Sequence, residues 1–256
     1  MADSVTIPRA STAEETAAAP ARHSLLVRIT HWVTALSVFA LLLSGGEIVI
    51  SHPRFYWGEV GNDLTRPLFQ LPIPASRRLV PTGYNFVLPD QNGWSRALHF
   101  QAAWLLVFTG LLYVIWGLVS GHFRRDLLPL ASPARWRAVL ADHLRFRRPH
   151  PSEAASYNPL QRLAYMAVIF LLFPLTIWSG LSLSHTFNAI FPYAVESLGG
   201  FQSARTIHFF CAISLTLFIL VHLAMIVRAG FLRLTRAMIT GNLGPEPEKS
   251  TQQDQP

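Results

Sequence analysis

Four stretches of this 256-residue chain are each long and apolar enough to cross a bilayer, and they limit the fold more than any other feature. They run from about Leu25 to Ile50, Ala97 to Ser120, Leu160 to Leu183 and Arg205 to Val227. A span needs about 20 residues of helix. In hydrocarbon each backbone N–H and C=O has to be satisfied within the segment, so an isolated run of this length is helical. The expected fold class is all-α integral membrane, a four-transmembrane-helix bundle. Pro174 falls inside the third run and is expected to kink it, which membrane helices tolerate. Composition agrees: only 14% of residues are charged, against about 25% in soluble domains.

The 21 basic residues, all but one of them arginine, cluster at the ends of the runs. Fifteen lie in the amino tail up to Arg28, in the connection from the second run up to Arg162, or after the fourth run. The other side holds six: Arg54, Arg66, Arg77, Arg78, Arg96 and Arg205. The positive-inside rule then predicts both termini cytoplasmic, with a long periplasmic loop between the first two spans of a bacterial inner-membrane protein. This clustering points to topology and lipid contact rather than nucleic acid. Residues 1–22 and 241–256 read as disordered cytoplasmic tails around one membrane domain, residues 23–240. The first tail lacks the basic-then-apolar order of a cleavable signal, so the first span is expected to act as the insertion signal. Cys211 stands alone, which rules out a disulfide, a CxxCH site or a cysteine-ligated cluster within the chain and leaves a small packing residue.

The loop of residues 51–94 is rich in Pro, Gly and aromatics, and reads as a partner-docking surface or a folded cap over the helix ends. Residues 133–146 look amphipathic, with Trp136, Val139, Leu140 and Leu144 towards lipid, and predict an interfacial helix. No internal repeat is evident.

Four histidines lie inside the apolar runs: His31, His99, His208 and His222. Ionisable residues in hydrocarbon are rare and mark function. His208 and His222 are fourteen residues apart on one span, so they share a face about 21 Å apart along the axis. With the predicted orientation, His99 and His208 are both near the periplasmic side, and His31 and His222 are both near the cytoplasmic side. Depth alone makes these the pairs. Two imidazoles from two helices of a bundle suit the axial positions of a b-type haem, and two such pairs call for two haems. His185 is the substitute ligand if one assignment fails. His23, His52, His122, His143 and His150 fall in tails, loops or span ends and are expected to be solvated.

Gly45, Gly110 and Gly117 lie where a flat macrocycle would approach a helix, or serve ordinary small-residue packing. Arg28 is placed for the propionates of the cytoplasmic haem, and Arg96 and Arg205 for those of the periplasmic one. Each is equally placed as a topology or headgroup arginine.

At these residues a family becomes recognisable. Arg28–Trp32 (RITHW), Leu98–Phe100 (LHF), Ile207–Phe209 (IHF) and Val221–Leu223 (VHL) resemble the bacterial di-haem cytochrome b membrane subunits, among them formate dehydrogenase gamma and nickel–iron hydrogenase b-type cytochromes. His52–Glu59 (HPRFYWGE) makes the chain most similar to the thiosulfate reductase cytochrome b branch. The resemblance implies a membrane anchor that passes electrons between a periplasmic oxidoreductase, molybdenum-containing in some relatives, and membrane quinone. It also implies a quinone contact at Asn158, in SYNPLQR, although relatives carry Gly where this chain has Leu160. Asn158 equally suits a turn before a helix opened by Pro159. Two other readings stay open: a stand-alone di-haem quinone reductase, and a transporter using histidines as ligands or proton relays. Mid-membrane acids, which coupled transporters use, are nearly absent.

Overall fold

The computed structural model describes residues 23–62, 64–73, 91–128, 131–145 and 159–242. Arg77, Arg78, Asn158 and both tails lie outside them. Helix α1 (Leu25–Ser51) starts at Ser24, whose hydroxyl accepts the Val27 N–H at 3.3 Å. It ends where Pro53 disfavours helix at His52. Helix α2 (Gln91–Val119) begins several residues before its apolar run, because the polar residues ahead of Ala97 extend the helix beyond the hydrocarbon. It closes at Gly121, with φ +68°, followed by one π-helical turn, Phe123–Leu127. Helix α3 (Pro133–Leu144) forms where the amphipathic stretch predicts a helix, with Pro133 at its first position and Ser132 accepting the Arg135 N–H at 3.3 Å. Its Val139 is buried rather than turned to lipid, and shares a cavity wall with Leu160.

The third span is α4 (Pro159–Ala167), a π turn (Val168–Leu172) and α5 (Phe173–Ser182). Pro174 has no N–H for the Phe170 carbonyl, and its ring crowds that oxygen. The wide turn just before it makes room, so the expected kink takes the form of a π turn. Two short helices, α6 (His185–Ile190) and α7 (Tyr193–Glu196), lead to α8 (Phe201–Thr240).

Burial is inverted relative to a soluble bundle. Thr30, Ser37, Ser44 and Ser51 are buried at seven-residue intervals on α1, and Ser95, Ala102 and Thr109 repeat the interval on α2. The first three hydroxyls donate to carbonyls four residues earlier, at 2.8, 2.8 and 2.7 Å. Leu36, Phe39, Phe108, Leu112 and Leu217 face outward. Lipid solvates large apolar side chains as well as a neighbouring helix does, so close approach over small residues decides the packing. α1 packs chiefly on α2, and α5 on α8.

At forty residues, a straight α8 would reach about 60 Å, twice the hydrocarbon thickness of about 30 Å. Gly230, at φ 109° and ψ 79°, breaks it. The remainder returns to the start of α1: Trp32 Nε1 donates to the Met238 carbonyl at 3.2 Å and an Arg28 guanidinium N–H to that of Ile239 at 2.8 Å. This end, which also carries Arg124, Arg125 and Arg162, is the basic face.

The opposite end is the hairpin face. There β1 (Arg54–Phe55) pairs antiparallel with β2 (Phe69–Gln70), Phe55 opposite Phe69. Phe55 stacks on Phe69 and on Phe209 of α8, with ring centres 4.7 and 4.3 Å apart. The Gly58 carbonyl accepts the N–H groups of Gln202 and Ser203, and a Glu59 carboxylate oxygen accepts the Phe201 N–H at 3.0 Å. An acidic cap at a helix N-terminus complements its dipole. The described part of the first loop is thus a folded cap over α8.

Candidate metal centres

α2 and α8 bring His99 and His208 face to face, with ring centres 6.2 Å apart and planes at 69°. α1 and α8 do the same for His31 and His222, at 6.5 Å and 52°. These are the pairs that depth predicts. Two imidazoles bound in line to one metal through bonds of about 2 Å have ring centres about 6 Å apart. Among the described residues no third His, Cys, Asp or Glu joins either pair as a metal ligand. Two-donor sites suit a metal that brings its other four ligands in a macrocycle.

The His99/His208 pair has a matched set of supports. Ser44 Oγ lies 3.0 Å from His99 Nδ1, and Ser179 Oγ lies 3.1 Å from His208 Nδ1. Each serine donates its own hydrogen to a carbonyl four residues back, Ala40 and Leu175. The serine oxygens therefore accept, and Nδ1 carries the proton of each ring. The Thr176 carbonyl, 3.0 Å from His208 Nδ1, accepts from the same nitrogen. That tautomer leaves the Nε2 lone pair free for a metal, the usual outer-shell support of a ligating histidine. At the other pair, His31 Nδ1 is buried with no hydrogen-bond partner among the described residues, a costly state unless the site holds another group.

Glycines line the first pair. A Cβ on Gly45 would lie 3.5 Å from His99 Cε1, and one on Gly180 would crowd His208 Cε1 at 3.0 Å. A Cβ on Gly110 would meet nothing within 4 Å. Gly117 serves packing, since a Cβ there would stand 2.5 Å from the Phe123 ring.

Ser44, Ser179 and Gly180 carry no mark in a search for buried histidines. Their signal is a degenerate internal repeat, too short to stand out without the structure. Ser44–Gly45 recurs as Ser179–Gly180, and Arg96-x-x-His99-Phe100 as Arg205-x-x-His208-Phe209. The other pair breaks it: the positions matching His31 and His222 are Met166 and Tyr113.

The arginines divide. Arg205 donates to the carbonyls of His52 at 2.7 Å and Arg54 at 2.5 Å and to Gln202 Oε1 at 3.3 Å, with Phe55 below it at 5.0 Å. It fastens the hairpin to α8. Arg96 is exposed. Arg28 binds the Ile239 carbonyl, and its buried Nε has no partner among the described residues. His185 rests against Phe201, with ring centres 5.5 Å apart. His122, expected to be solvated, is only 15% exposed at its side chain.

Four membrane-length helices holding facing histidines define an integral-membrane b-type cytochrome. Residues 22–241 match the family model of prokaryotic cytochrome b561, and the chain belongs to that family. It is 31% identical, over 86% of its length and 96% of the relative's, to an Azospira oryzae chain named protein-methionine-sulfoxide reductase subunit YedZ1. It is 25% identical to chains named Ni/Fe-hydrogenase B-type cytochrome subunit in Cupriavidus necator and Azotobacter vinelandii. The alignments cover 79% of this chain in both cases, and 76% and 78% of those relatives. The protein is a multi-pass membrane subunit of the b-type cytochrome class that binds haem and carries electrons.

Proposed function

We propose that this chain carries two haems b and moves electrons between a periplasmic oxidoreductase and the quinone pool across a bacterial inner membrane. The observation that carries the reading is the pair of facing histidine pairs, 6.2 and 6.5 Å between ring centres, at the two ends of one helix. A haem held by two imidazoles supplies a one-electron couple with no open position for oxygen or substrate. His99 and His208 hold the periplasmic group, kept in the binding tautomer by Ser44, Ser179 and the Thr176 carbonyl. His31 and His222 hold the cytoplasmic group, with Arg28 beside it. Gly45 and Gly180 keep side-chain bulk away from the first site.

Quinone exchange belongs at the cytoplasmic end near Asn158. A cavity of about 260 Å³ lies between Trp136, Arg137, Val139 and Leu140 of α3 and Leu160 of α4. The names of the relatives support an oxidoreductase partner, and the resemblance to formate dehydrogenase gamma subunits points to a molybdenum centre in it. Of the cap, Trp57, Val60 and Leu64 face outward, the last 98% exposed, where such a partner would meet the chain.

The test is haem stoichiometry with a reduced-minus-oxidised visible spectrum. The wild type is expected to hold two haems. His99→Ala or His208→Ala removes one component of the spectrum, and His31→Ala or His222→Ala removes the other. One haem per wild-type chain, or the same component lost in all four variants, refutes the reading.

A further inference from the structure

We infer that Tyr113, His122 and Asp126 form a proton relay between water on the basic face and quinone at the level of the His31/His222 pair. The inference rests on the quinone exchange proposed above and assigns the groups that would handle its protons.

Three side chains make one continuous hydrogen-bonded chain. Asp126 Oδ2 lies 2.7 Å from His122 Nδ1, and His122 Nε2 lies 3.3 Å from the Tyr113 hydroxyl. Side-chain exposure falls along it, from 47% at Asp126 to 15% at His122. The imidazole is boxed by aromatic rings, with Trp116, Phe123 and Tyr113 centred 5.1, 5.8 and 6.0 Å away. Phe123 is buried over Gly117 and edge-on to Phe170 of the third span, which fixes one wall of the box. The π turn Phe123–Leu127 presents His122, just before it, and Asp126 to each other. Such turns are frequent at functional positions.

Depth places the inner end. Tyr113 follows His99 by fourteen residues on α2, as His222 follows His208 on α8, so the phenol lies at the level of the His31/His222 pair. α4 links the two: Tyr165 packs on His222 at 6.3 Å, and Arg162 donates to the Leu128 carbonyl that ends the π turn. The charged and titratable groups around the relay are Asp126, Arg124 and Arg125 on its own turn, Tyr113 on α2 and Arg162 on α4.

Reducing one quinone consumes two electrons, delivered singly through the cytochrome, and two protons. For each proton, Asp126 takes one from water and passes it to His122 Nδ1. The Nε2 proton moves to the Tyr113 oxygen as the phenol gives its own to a quinone oxygen, and a turn of the imidazole ring then brings the proton left on Nδ1 to the Tyr113 side before the next transfer. Only O–H and N–H bonds are made or broken, and quinol oxidation runs the same chain outward. Imidazole suits the centre because either ring nitrogen can take up or give a proton.

The experiment follows haem reduction by decylubiquinol in liposomes holding the full haem-loaded chain. Asp126→Asn and Tyr113→Phe are expected to slow it at least about tenfold. They also flatten its dependence on pH between about 5 and 8. Haem content and the dithionite-reduced spectrum stay as in the wild type, and Asp126→Glu keeps most of the rate. Wild-type rates in the variants, or slowing with an unchanged pH profile, overturn the relay alone. A wild-type chain that decylubiquinol does not reduce overturns quinone exchange and the relay together.

Discussion

Ser44 and Ser179 show how much a single hydroxyl is asked to do in a low-dielectric interior. Each accepts a hydrogen bond from the ring nitrogen that does not face the partner histidine, which makes the imidazole a stronger electron donor. A stronger donor favours the ferric state. Ser44→Ala or Ser179→Ala should therefore raise the midpoint potential of the His99/His208 haem, by about a few tens of millivolts. The Thr176 carbonyl remains as an acceptor at His208 and limits the shift there. Spectroelectrochemical titration checks this, and a fall in potential would contradict the direction. The histidines themselves were legible from sequence because hydrocarbon makes a buried imidazole conspicuous. The serines were not, because in a membrane helix a buried serine bonding its own backbone is ordinary.

Elements tell a similar story about loops and breaks. The hairpin is tied to α8 through Arg205, whose guanidinium meets two loop carbonyls and an aromatic face. Arg205→Ala should cost about 2–4 kcal/mol, the scale of charge-assisted hydrogen bonds lost from a partly shielded site. Arg96→Ala, at the matching but exposed position, should change stability by under about 0.5 kcal/mol. Thermal unfolding of the two haem-loaded variants in detergent, read side by side, tests the contrast. Equal losses would mean that the repeat governs both arginines alike. Gly230 is a second element-scale test. Its φ of 109° lies where a side chain is strained, so Gly230→Ala should cost about 1–3 kcal/mol. The expected sign is faster proteolytic clipping within residues 231–240. The spans were readable because their length and apolarity leave one solution. The repeat escaped because its two parts recur at different offsets, one set by the long first loop and one by the short second. The break at Gly230 escaped because a lone glycine in an apolar run has many uses.

For the whole molecule the quantity that matters is the axial distance between the two pairs. Fourteen residues of α8 put them about 21 Å apart, in hydrocarbon about 30 Å thick. Roughly two-thirds of the membrane potential then falls between them. At about 2.3 kcal/mol per 100 mV for a full crossing, 100 mV biases an electron between the two sites by about 1.5 kcal/mol, roughly tenfold. Half-reduced protein in liposomes should shift its two haem spectra by that ratio when a potassium diffusion potential of this size is imposed. An unchanged ratio would place the two haems at one depth.

Each facing pair takes one histidine from α8, which follows α1 and α2 in the chain. A nascent chain stalled after α5 displays His31 and His99 with nothing opposite them. Loading of the haems proposed at these pairs therefore waits for α8, and a chain cut before it makes an apoprotein rather than a half-loaded one.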